Sequence, residues 1–239
     1  NRTVRKVAPD RRVTTLAGRA GASGSADGVG DAARFHSPYG IATDSSGVAY
    51  VSEGLASTIR KVQPDGTVTT LAGLAFATGH VDGQGSAARF FYPHGVAVDR
   101  AGVVYVADTE NNTIRKIGAD GSVTTLAGQP GVAGYADGVG GSALFNRPHG
   151  LAVDSAGVVY VADTTNHVIR AVQKDGTVVT LAGRASSPGS ADGVGAEARF
   201  FLPEGVAVSA TGVLYVSDTG NQAVREVLLD GTVTTSAGS

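Results

Sequence analysis

Residues 103–128 read VVYVADTENNTIRKIGADGSVTTLAG, and residues 158–183 read VVYVADTTNHVIRAVQKDGTVVTLAG. Each stretch holds three short runs rich in Val, Ile and Thr, separated by polar turns that contain Asp, Asn or Gly. This alternation of β-prone runs and polar turns predicts antiparallel strands joined by hairpins. A fourth run, residues 96–98, precedes the first stretch and follows the turn-forming Pro93. One unit of the sequence therefore predicts a four-stranded antiparallel meander.

The unit recurs with a constant period of 55 residues, marked by Leu-Ala-Gly at Leu16, Leu71, Leu126 and Leu181 and by Ser-Ala-Gly at Ser236. Tandem meanders of this kind build a β-propeller, in which the blades pack around a central axis. A solenoid is the weaker alternative, because solenoid repeats rarely contain three hairpin turns. We predict one all-β domain, 1–239, with four complete blades at 38–73, 93–128, 148–183 and 203–238 and connecting loops at 19–37, 74–92, 129–147 and 184–202.

Residues 1–18 match only the third and fourth strands of a blade. The two apolar inner strands of that blade have no counterpart before them, and a hairpin without them would expose a sheet edge. We therefore predict half a blade at 1–18. We expect another segment or another chain to supply the missing strands, and the intact ring to hold five or six blades.

Three motifs recur in the complete units: Pro-x-Gly-[Ile/Val/Leu]-Ala, Gly-x-x-Tyr-Val-[Ala/Ser]-[Asp/Glu], and [Ile/Val]-Arg followed by Asp-Gly. Together they resemble the NHL-repeat family of β-propellers over essentially the whole chain. The resemblance implies the propeller fold. It does not select an activity, because such propellers serve as interaction platforms, lyases, lactonase-like enzymes and RNA-binding modules.

An acidic residue ends the second strand of each blade, and an arginine stands seven positions later in the third strand. A hairpin centred between them places the two side chains opposite each other, which predicts structural ion pairs of ~0.2–1 kcal/mol each. The charges also predict an exposed outer position for the third strand. The four predicted pairs are Glu53 with Arg60, Asp108 with Arg115, Asp163 with Arg170, and Asp218 with Arg225.

The connecting loops share the motif Asp-Gly-x-Gly-x-x-Ala-[Arg/Leu]-Phe, at 27–35, 82–90, 137–145 and 192–200. Its Gly-x-Gly-x-x-Ala core superficially matches a dinucleotide fingerprint, but the strand, long helix and distant acid of a βαβ unit are missing. One carboxylate per loop is too few for a calcium site. We predict instead that the Asp caps a short helical turn and that the Phe fills the seam between blades.

The residue between Pro and Gly at the entry to the first strand differs between the copies: it is Tyr39, His94, His149 and Glu204. The first strand of a propeller blade lines the central channel, so these positions converge near its mouth. We predict a ligand-binding axial rim there, without a metal or another cofactor. An alternative is a divalent ion such as Zn²⁺ held by His94, His149 and Glu204, as in a lyase- or lactonase-like enzyme.

The amino-acid composition limits the classes of function that remain. The net charge of −2 supplies no basic excess for a nucleic-acid backbone, and no apolar run reaches the ~20 residues of a membrane span. Cys and Met are absent, which fits an extracellular or secreted protein. The function we predict is a non-catalytic scaffold that presents its loops to a protein or glycan partner. The alternatives are the axial-metal enzyme and a structural module of a larger surface protein or filament.

Overall fold

The computed structural model describes residues 1–238 of the chain. This part consists of β-strands and short 3-10 turns without an α-helix. It contains no helix long and apolar enough to cross a membrane. The strands form four antiparallel blades and one isolated hairpin, which confirms the predicted all-β propeller class.

The half blade contains β1 (Val4–Val7) and β2 (Val13–Ala17). The first blade contains β3 (Gly28–Val29), β4 (Pro38–Thr43), β5 (Ala49–Glu53), β6 (Thr58–Val62) and β7 (Thr67–Ala72). The second contains β8 (Gly83–Gln84), β9 (Pro93–Val98), β10 (Val104–Asp108), β11 (Thr113–Ile117) and β12 (Ser122–Ala127). The third contains β13 (Gly138–Val139), β14 (Pro148–Val153), β15 (Val159–Asp163), β16 (Val168–Val172) and β17 (Thr177–Gly183). The fourth contains β18 (Gly193–Val194), β19 (Pro203–Val208), β20 (Leu214–Asp218), β21 (Ala223–Val227) and β22 (Thr232–Ala237).

Two sets of 3-10 turns interrupt the strands. One set lies in the connecting loops, at Gly30–Ala32, Gly85–Ala87, Gly140–Ser142 and Gly195–Glu197. The other set follows the second long strand of the last three blades, at Thr109–Asn111, Thr164–Asn166 and Thr219–Asn221.

Each complete blade holds five strands rather than the four that the repeat pattern predicts. In the second blade the order across the sheet is β8-β12-β11-β10-β9, so the two-residue β8 lies at the outer edge. Gly83 pairs with Val123, and Gln84 pairs with Ser122. The connecting loop therefore contributes a short edge strand to the blade that follows it. At the other side of the sheets, the inner strands β4, β9, β14 and β19 pack beside one another in that order.

The core lies in the seams between consecutive blades. Between the first and second blades, the fully buried Phe90 packs in one cluster with Ile59 and Ala72 on one side and Val104 and Ile117 on the other. The same loop position is fully buried in every seam, at Phe35, Phe90, Phe145 and Phe200. Full burial of one such ring contributes about 1.5–3 kcal/mol relative to leaving it exposed.

The recurring Leu-Ala-Gly signature has a local cause. Gly73 has a φ of +90°, and a Cβ there would overlap the Ser57 carbonyl oxygen and press on the Phe90 ring. Gly128 has a φ of +94° and the same neighbours one repeat later. Only glycine combines a left-handed backbone with so close an approach.

The third long strand is almost wholly buried in the first three blades, and its arginine is fully buried in all four. The sequence-based expectation of an exposed position is therefore wrong for those three blades. In β11 every residue is buried except the half-buried Lys116. The reason is the preceding connecting loop, which reaches this strand and satisfies its arginine from outside the sheet. The exposed outer positions lie instead in the fourth long strand, such as Thr124 in β12.

Candidate functional site

One arginine per complete blade lies at the centre of a buried polar cluster, which we call the arginine clamp. Arg115 donates from Nη1 to Asp108 Oδ2 at 2.7 Å and from Nη2 to Asp82 Oδ1 at 2.6 Å. The same two nitrogens donate to the carbonyl oxygens of Arg89 and Val81, at 3.0 and 3.1 Å. The guanidinium therefore joins the second strand, the third strand and the connecting loop of one blade.

The clamp is repeated with nearly the same distances in all four complete blades. Nη1 of the central arginine lies 2.7–2.9 Å from the strand carboxylate, and Nη2 lies 2.6–2.8 Å from the loop carboxylate. Each guanidinium carbon also lies 5.1–5.3 Å from the centroid of the loop phenylalanine ring, within the range of a cation–π contact. The strand pairs are Glu53 with Arg60, Asp108 with Arg115, Asp163 with Arg170, and Asp218 with Arg225.

The loop aspartate does not cap a helical turn, which corrects that expectation. The turn Gly85–Ala87 begins after Gln84 and has no side-chain cap. Asp82 instead accepts hydrogen bonds from Arg115 Nη2 and from the backbone N–H and hydroxyl of Thr125 at 3.1 and 3.0 Å. The adjacent loop arginine is not its partner, since Arg89 donates to backbone carbonyls. The sequence held a signal for this pairing, because each of the four complete blades with a strand arginine is preceded by a connecting loop that contains the aspartate.

The strand carboxylate has a second role through its other oxygen. Asp108 Oδ1 accepts from the backbone N–H of Phe91 at 2.7 Å, and Asp163 Oδ1 accepts from that of Asn146 at 2.8 Å. These N–H groups belong to the residues directly after the loop phenylalanines. The clamp therefore fixes the chain where it enters the inner strand, three residues before the axial rim.

Burial raises the pKa of two strand carboxylates of the clamp, Asp108 and Asp163. Desolvation raises the pKa of Asp108 to about 6, while the Arg115 charge and the hydrogen bonds from Asn111 and Phe91 oppose that rise. Arg115 and Asp108 are both fully buried, so the exposed-pair energy expected from sequence does not apply. Breaking a buried pair of this kind costs about 3–5 kcal/mol because the remaining charge loses its partner. The half blade has no clamp, and Arg5 is exposed and forms no salt bridge with residues 1–238.

The axial rim is positioned by the Pro-x-Gly entry of each inner strand. At Gly95 a Cβ would overlap the carbonyl oxygen of His149, and at Gly40 it would overlap that of His94. The absence of a side chain therefore lets neighbouring inner strands approach closely at this end. The residue before each of these glycines is brought against its counterpart in the next blade.

Three of the four rim side chains form a stack. The His94 and His149 rings have centroids 4.5 Å apart and planes 13° apart, and the Tyr39 ring lies 4.8 Å from that of His94. Tyr39 is 47% exposed, and its hydroxyl is hydrogen-bonded to that of Tyr92. Glu204 is exposed and lies outside the stack. A cavity of about 350 Å³ opens at this end of the inner strands, with Tyr39, His94, Glu204 and Ser217 among its lining residues.

Both histidines favour the neutral form. Burial lowers the pKa of His149 to about 4, helped by the nearby His94 and by the positive charge of Arg147. Burial also lowers the pKa of His94, although the Glu204 carboxylate acts in the opposite direction. At neutral pH the stack therefore presents uncharged aromatic surface beside one carboxylate.

The rim does not fit a divalent ion. Two parallel imidazoles 4.5 Å apart cannot both direct an in-plane nitrogen at one ion about 2 Å away. No group of three or more His, Asp or Glu side chains within residues 1–238 comes together as a set of metal ligands. We therefore derive no chemical step through a metal at this site.

The structure also places the loop residues around this end. His36, in the first connecting loop, is half buried, and its ring contacts Phe76 edge-on with centroids 5.3 Å apart. Phe76 and Phe91 remain exposed. The pairing of Tyr39 with Tyr92, 53 positions away, had no signal in the sequence.

Comparison with protein families finds three matches to the NHL repeat model, at residues 90–117, 145–171 and 202–226. The chain is 34% identical over 162 residues to NHL repeat-containing protein 2 of Bos taurus, a match that covers 62% of this chain and 22% of that protein. The chain thus spans about a fifth of the length of this relative.

Solved structures share the fold with functionally different proteins. An auxiliary nutrient binding protein from Bacteroides thetaiotaomicron matches with a TM-score of 0.68 and 20% identity, over 95% of this chain and 51% of that one. A streptogramin B lyase matches with a TM-score of 0.58 and 16% identity, over 83% and 53%. At these identities the likeness concerns the fold alone, and a binding protein and a lyase both carry it.

Proposed function

We propose that this chain, which belongs to the NHL-repeat family of β-propellers, is a non-catalytic scaffold that binds a protein partner at its axial rim. NHL propellers are a generic scaffold type, and the specific site and partner class are our proposal. The observation that carries it is the contrast between positions of the repeat. The clamp residues keep their chemistry in every complete blade, whereas the rim position changes from Tyr39 to His94, His149 and Glu204.

Repetition makes this contrast informative. A side chain that the fold requires must recur, because each blade meets nearly the same neighbours. At the rim, glycine and proline recur around a residue that is free to vary. Variation at the end where all four inner strands meet around one cavity supports a role that is not architectural.

The chemistry of the rim suits a protein surface. Tyr39 offers a half-exposed ring with a polar edge, the type of residue enriched at the energetic centres of protein interfaces. The histidine rings continue that surface, and Glu204 adds one negative charge at its edge. A peptide segment with an aromatic or aliphatic residue beside a Lys or Arg would match both features.

A displayed random peptide library and a glycan array test this proposal with defined probes. The library is panned on the wild-type protein and depleted on a variant that carries Tyr39→Ala, His94→Ala and His149→Ala. Tyr135→Ala is the matched control, since Tyr135 is 44% exposed and lies outside the rim. We expect enriched peptides whose affinity falls at least about tenfold in the rim variant, which corresponds to ~1.4 kcal/mol, and not in the control.

Peptides that bind the wild type and the rim variant equally would overturn the choice of site. Array glycans that bind only when the rim is intact would replace the protein partner with a glycan. Circular dichroism of the rim variant serves as the folding control for both readouts.

A further inference from the structure

The fourth blade exposes a face that, in each of the first three blades, is covered by the blade that follows. This trailing face, which points away from the third blade, includes Tyr215, and that side chain is 42% exposed. The equivalent residues Tyr50, Tyr105 and Tyr160 are only 6%, 3% and 4% exposed, because the next blade covers them. Val224 follows the same pattern: it is exposed, whereas the equivalent Ile114 and Ile169 are fully buried.

The face also carries hydrogen-bonding groups that have defined partners in the earlier blades. Thr109 Oγ1 donates to the carbonyl oxygen of Pro148 at 2.7 Å, and Thr164 Oγ1 donates to that of Pro203 at the same distance. Their equivalent is the exposed Thr219. In each earlier case the acceptor is the proline of the next Pro-x-Gly entry.

A second hydrogen-bonding position on this face, occupied by Asn112, His167 and Gln222, also contacts the next Pro-x-Gly entry in the second and third blades. Asn112 Oδ1 accepts from the backbone N–H of Arg147 at 2.9 Å, and His167 Nδ1 accepts from that of Leu202 at 3.1 Å. Each donor is the residue directly before the next entry proline. The equivalent Gln222 has the same left-handed backbone, with φ of +54° against +56° and +61°, and is exposed.

The second long strand of the blade, β5 in the first blade and β20 in the fourth, repeats the pattern. Ser52 Oγ donates to the carbonyl oxygen of His94, the middle residue of the next Pro-x-Gly entry. Ser217 stands at the same position and, like Ser52, accepts from the glycine N–H of its own blade. In the first three blades the glycine of the Pro-x-Gly entry makes room for a carbonyl oxygen of the next blade. The fourth blade has glycine at this position too, Gly205, but among residues 1–238 a Cβ there would meet only Ser217.

We propose that the trailing face of the fourth blade is a docking surface for one further unit of this same repeat. The unit would bring a Phe-x-x-Pro-x-Gly entry and two apolar inner strands. Its proline carbonyl would accept from Thr219, the next carbonyl from Ser217, and the N–H before the proline would donate to Gln222. Its phenylalanine would enter the seam beside Val224. The contacts would continue those at the three interfaces between the complete blades of this chain.

The test adds the unit to the full chain. A copy of residues 75–108, which contains a connecting loop and two inner strands, is joined directly after Ser239 so that the 55-residue phase continues. The readout is the rate of tyrosine nitration by tetranitromethane, resolved by mass spectrometry. Tyr160 is the buried reference and Tyr135 the exposed one.

We expect nitration of Tyr215 to slow at least tenfold in the extended chain, towards the rate of Tyr160, while Tyr135 reacts as before. The same extension with Phe90→Asp in the appended copy should leave Tyr215 reactive. Thr219→Val together with Gln222→Ala should restore part of the reactivity of the extended chain.

Unchanged nitration of Tyr215 in the extended chain would overturn the proposal. A synthetic peptide of residues 75–108, added in excess to the unextended chain, provides a second trial that does not depend on how the fusion folds, and protection of Tyr215 is again expected. If light scattering shows that the unextended chain is a dimer with Tyr215 already protected, the occupant is a second copy and not a further repeat unit.

Discussion

The arginine clamp and the axial rim differ in every property that separates architecture from recognition. The arginine and the strand carboxylate of the clamp are buried, and the clamp has the same chemistry in four blades. The rim lies at the channel mouth, differs from copy to copy and keeps Tyr39 half exposed. In a chain made of copies, invariance therefore marks what the fold needs, and difference marks what the fold leaves free.

The largest expected effect is the loss of a clamp arginine. Arg115→Met should lower the free energy of unfolding by about 3–5 kcal/mol, because Asp108 stays buried without its counter-charge. Urea denaturation followed by circular dichroism measures the change. Arg5→Met is the matched control and should have no effect beyond about 0.5 kcal/mol, since Arg5 is exposed.

A second substitution checks the cause of that loss. Adding Asp108→Leu to Arg115→Met should recover part of the stability, because it removes the uncompensated carboxylate. A double variant less stable than Arg115→Met would show that the clamp acts through something other than charge pairing.

The exposed half of the clamp should matter less. Asp82→Asn removes the charge but keeps the size of a side chain that is itself half exposed. We expect a loss of about 1–2 kcal/mol in the same denaturation assay, because solvent weakens the ~1.5–3 kcal/mol of a hydrogen bond to a charged group when one partner is half exposed. Asp31→Asn, in the first connecting loop, is the control. Equal losses for Asp82→Asn and Arg115→Met would contradict a graded clamp.

Acid should affect the rim through His149. Because the folded pKa is lowered to about 4 from an ordinary 6.5, the unfolded chain binds the proton more readily. The contribution of neutral His149 is therefore fully present above about pH 6.5 and is lost as the pH falls towards 4. Since the ring is only half buried, we expect about 1 kcal/mol.

The comparison of wild type with His149→Gln at pH 7 and pH 4 isolates this term, because the buried carboxylates of the clamp cancel in the difference. Titration of the His149 ring proton by NMR gives the pKa directly. A pKa near 6.5 would mean that the stack does not exclude water from the ring. In His94→Ala the His149 pKa should move upwards, since one of the groups that lower it is gone.

The smallest expected change in stability comes from making the rim uniform. Tyr39→His with Glu204→His gives all four blades the entry Pro-His-Gly, which the second and third blades already accept. We expect the free energy of unfolding to stay within about 0.5 kcal/mol of wild type. Peptides selected on the wild-type rim should nevertheless bind at least about tenfold more weakly. Retained binding would assign recognition to the loops.

Much of the fold is predictable from the repeat alone. The strand-forming runs are local, their turns carry Asp and Gly, and the 55-residue period fixes how the blades follow one another. The two-residue strand Gly83–Gln84 was not predictable, because two residues carry no periodicity. Its place at the edge depends on Asp82, which is held by Thr125, 43 positions away.

The clamp and the rim were predictable only in part. A hairpin between the second and third strands places Asp108 opposite Arg115, and the sequence predicts this. The burial of Arg115 depends in addition on a loop aspartate 33 positions earlier. Convergence of His94 and His149 follows from a propeller, but their stacking depends on how closely the inner strands approach. Contacts between distant segments decide both properties, and the local sequence does not encode them.

The most direct test compares two residues of the same blade by urea denaturation, Arg170 in the clamp and His149 in the rim. If invariant residues carry the fold, Arg170→Met should lower the free energy of unfolding by at least about 3 kcal/mol. His149→Ala should lower it by less than about 1 kcal/mol. Equal losses, or a larger loss for His149→Ala, would contradict the account.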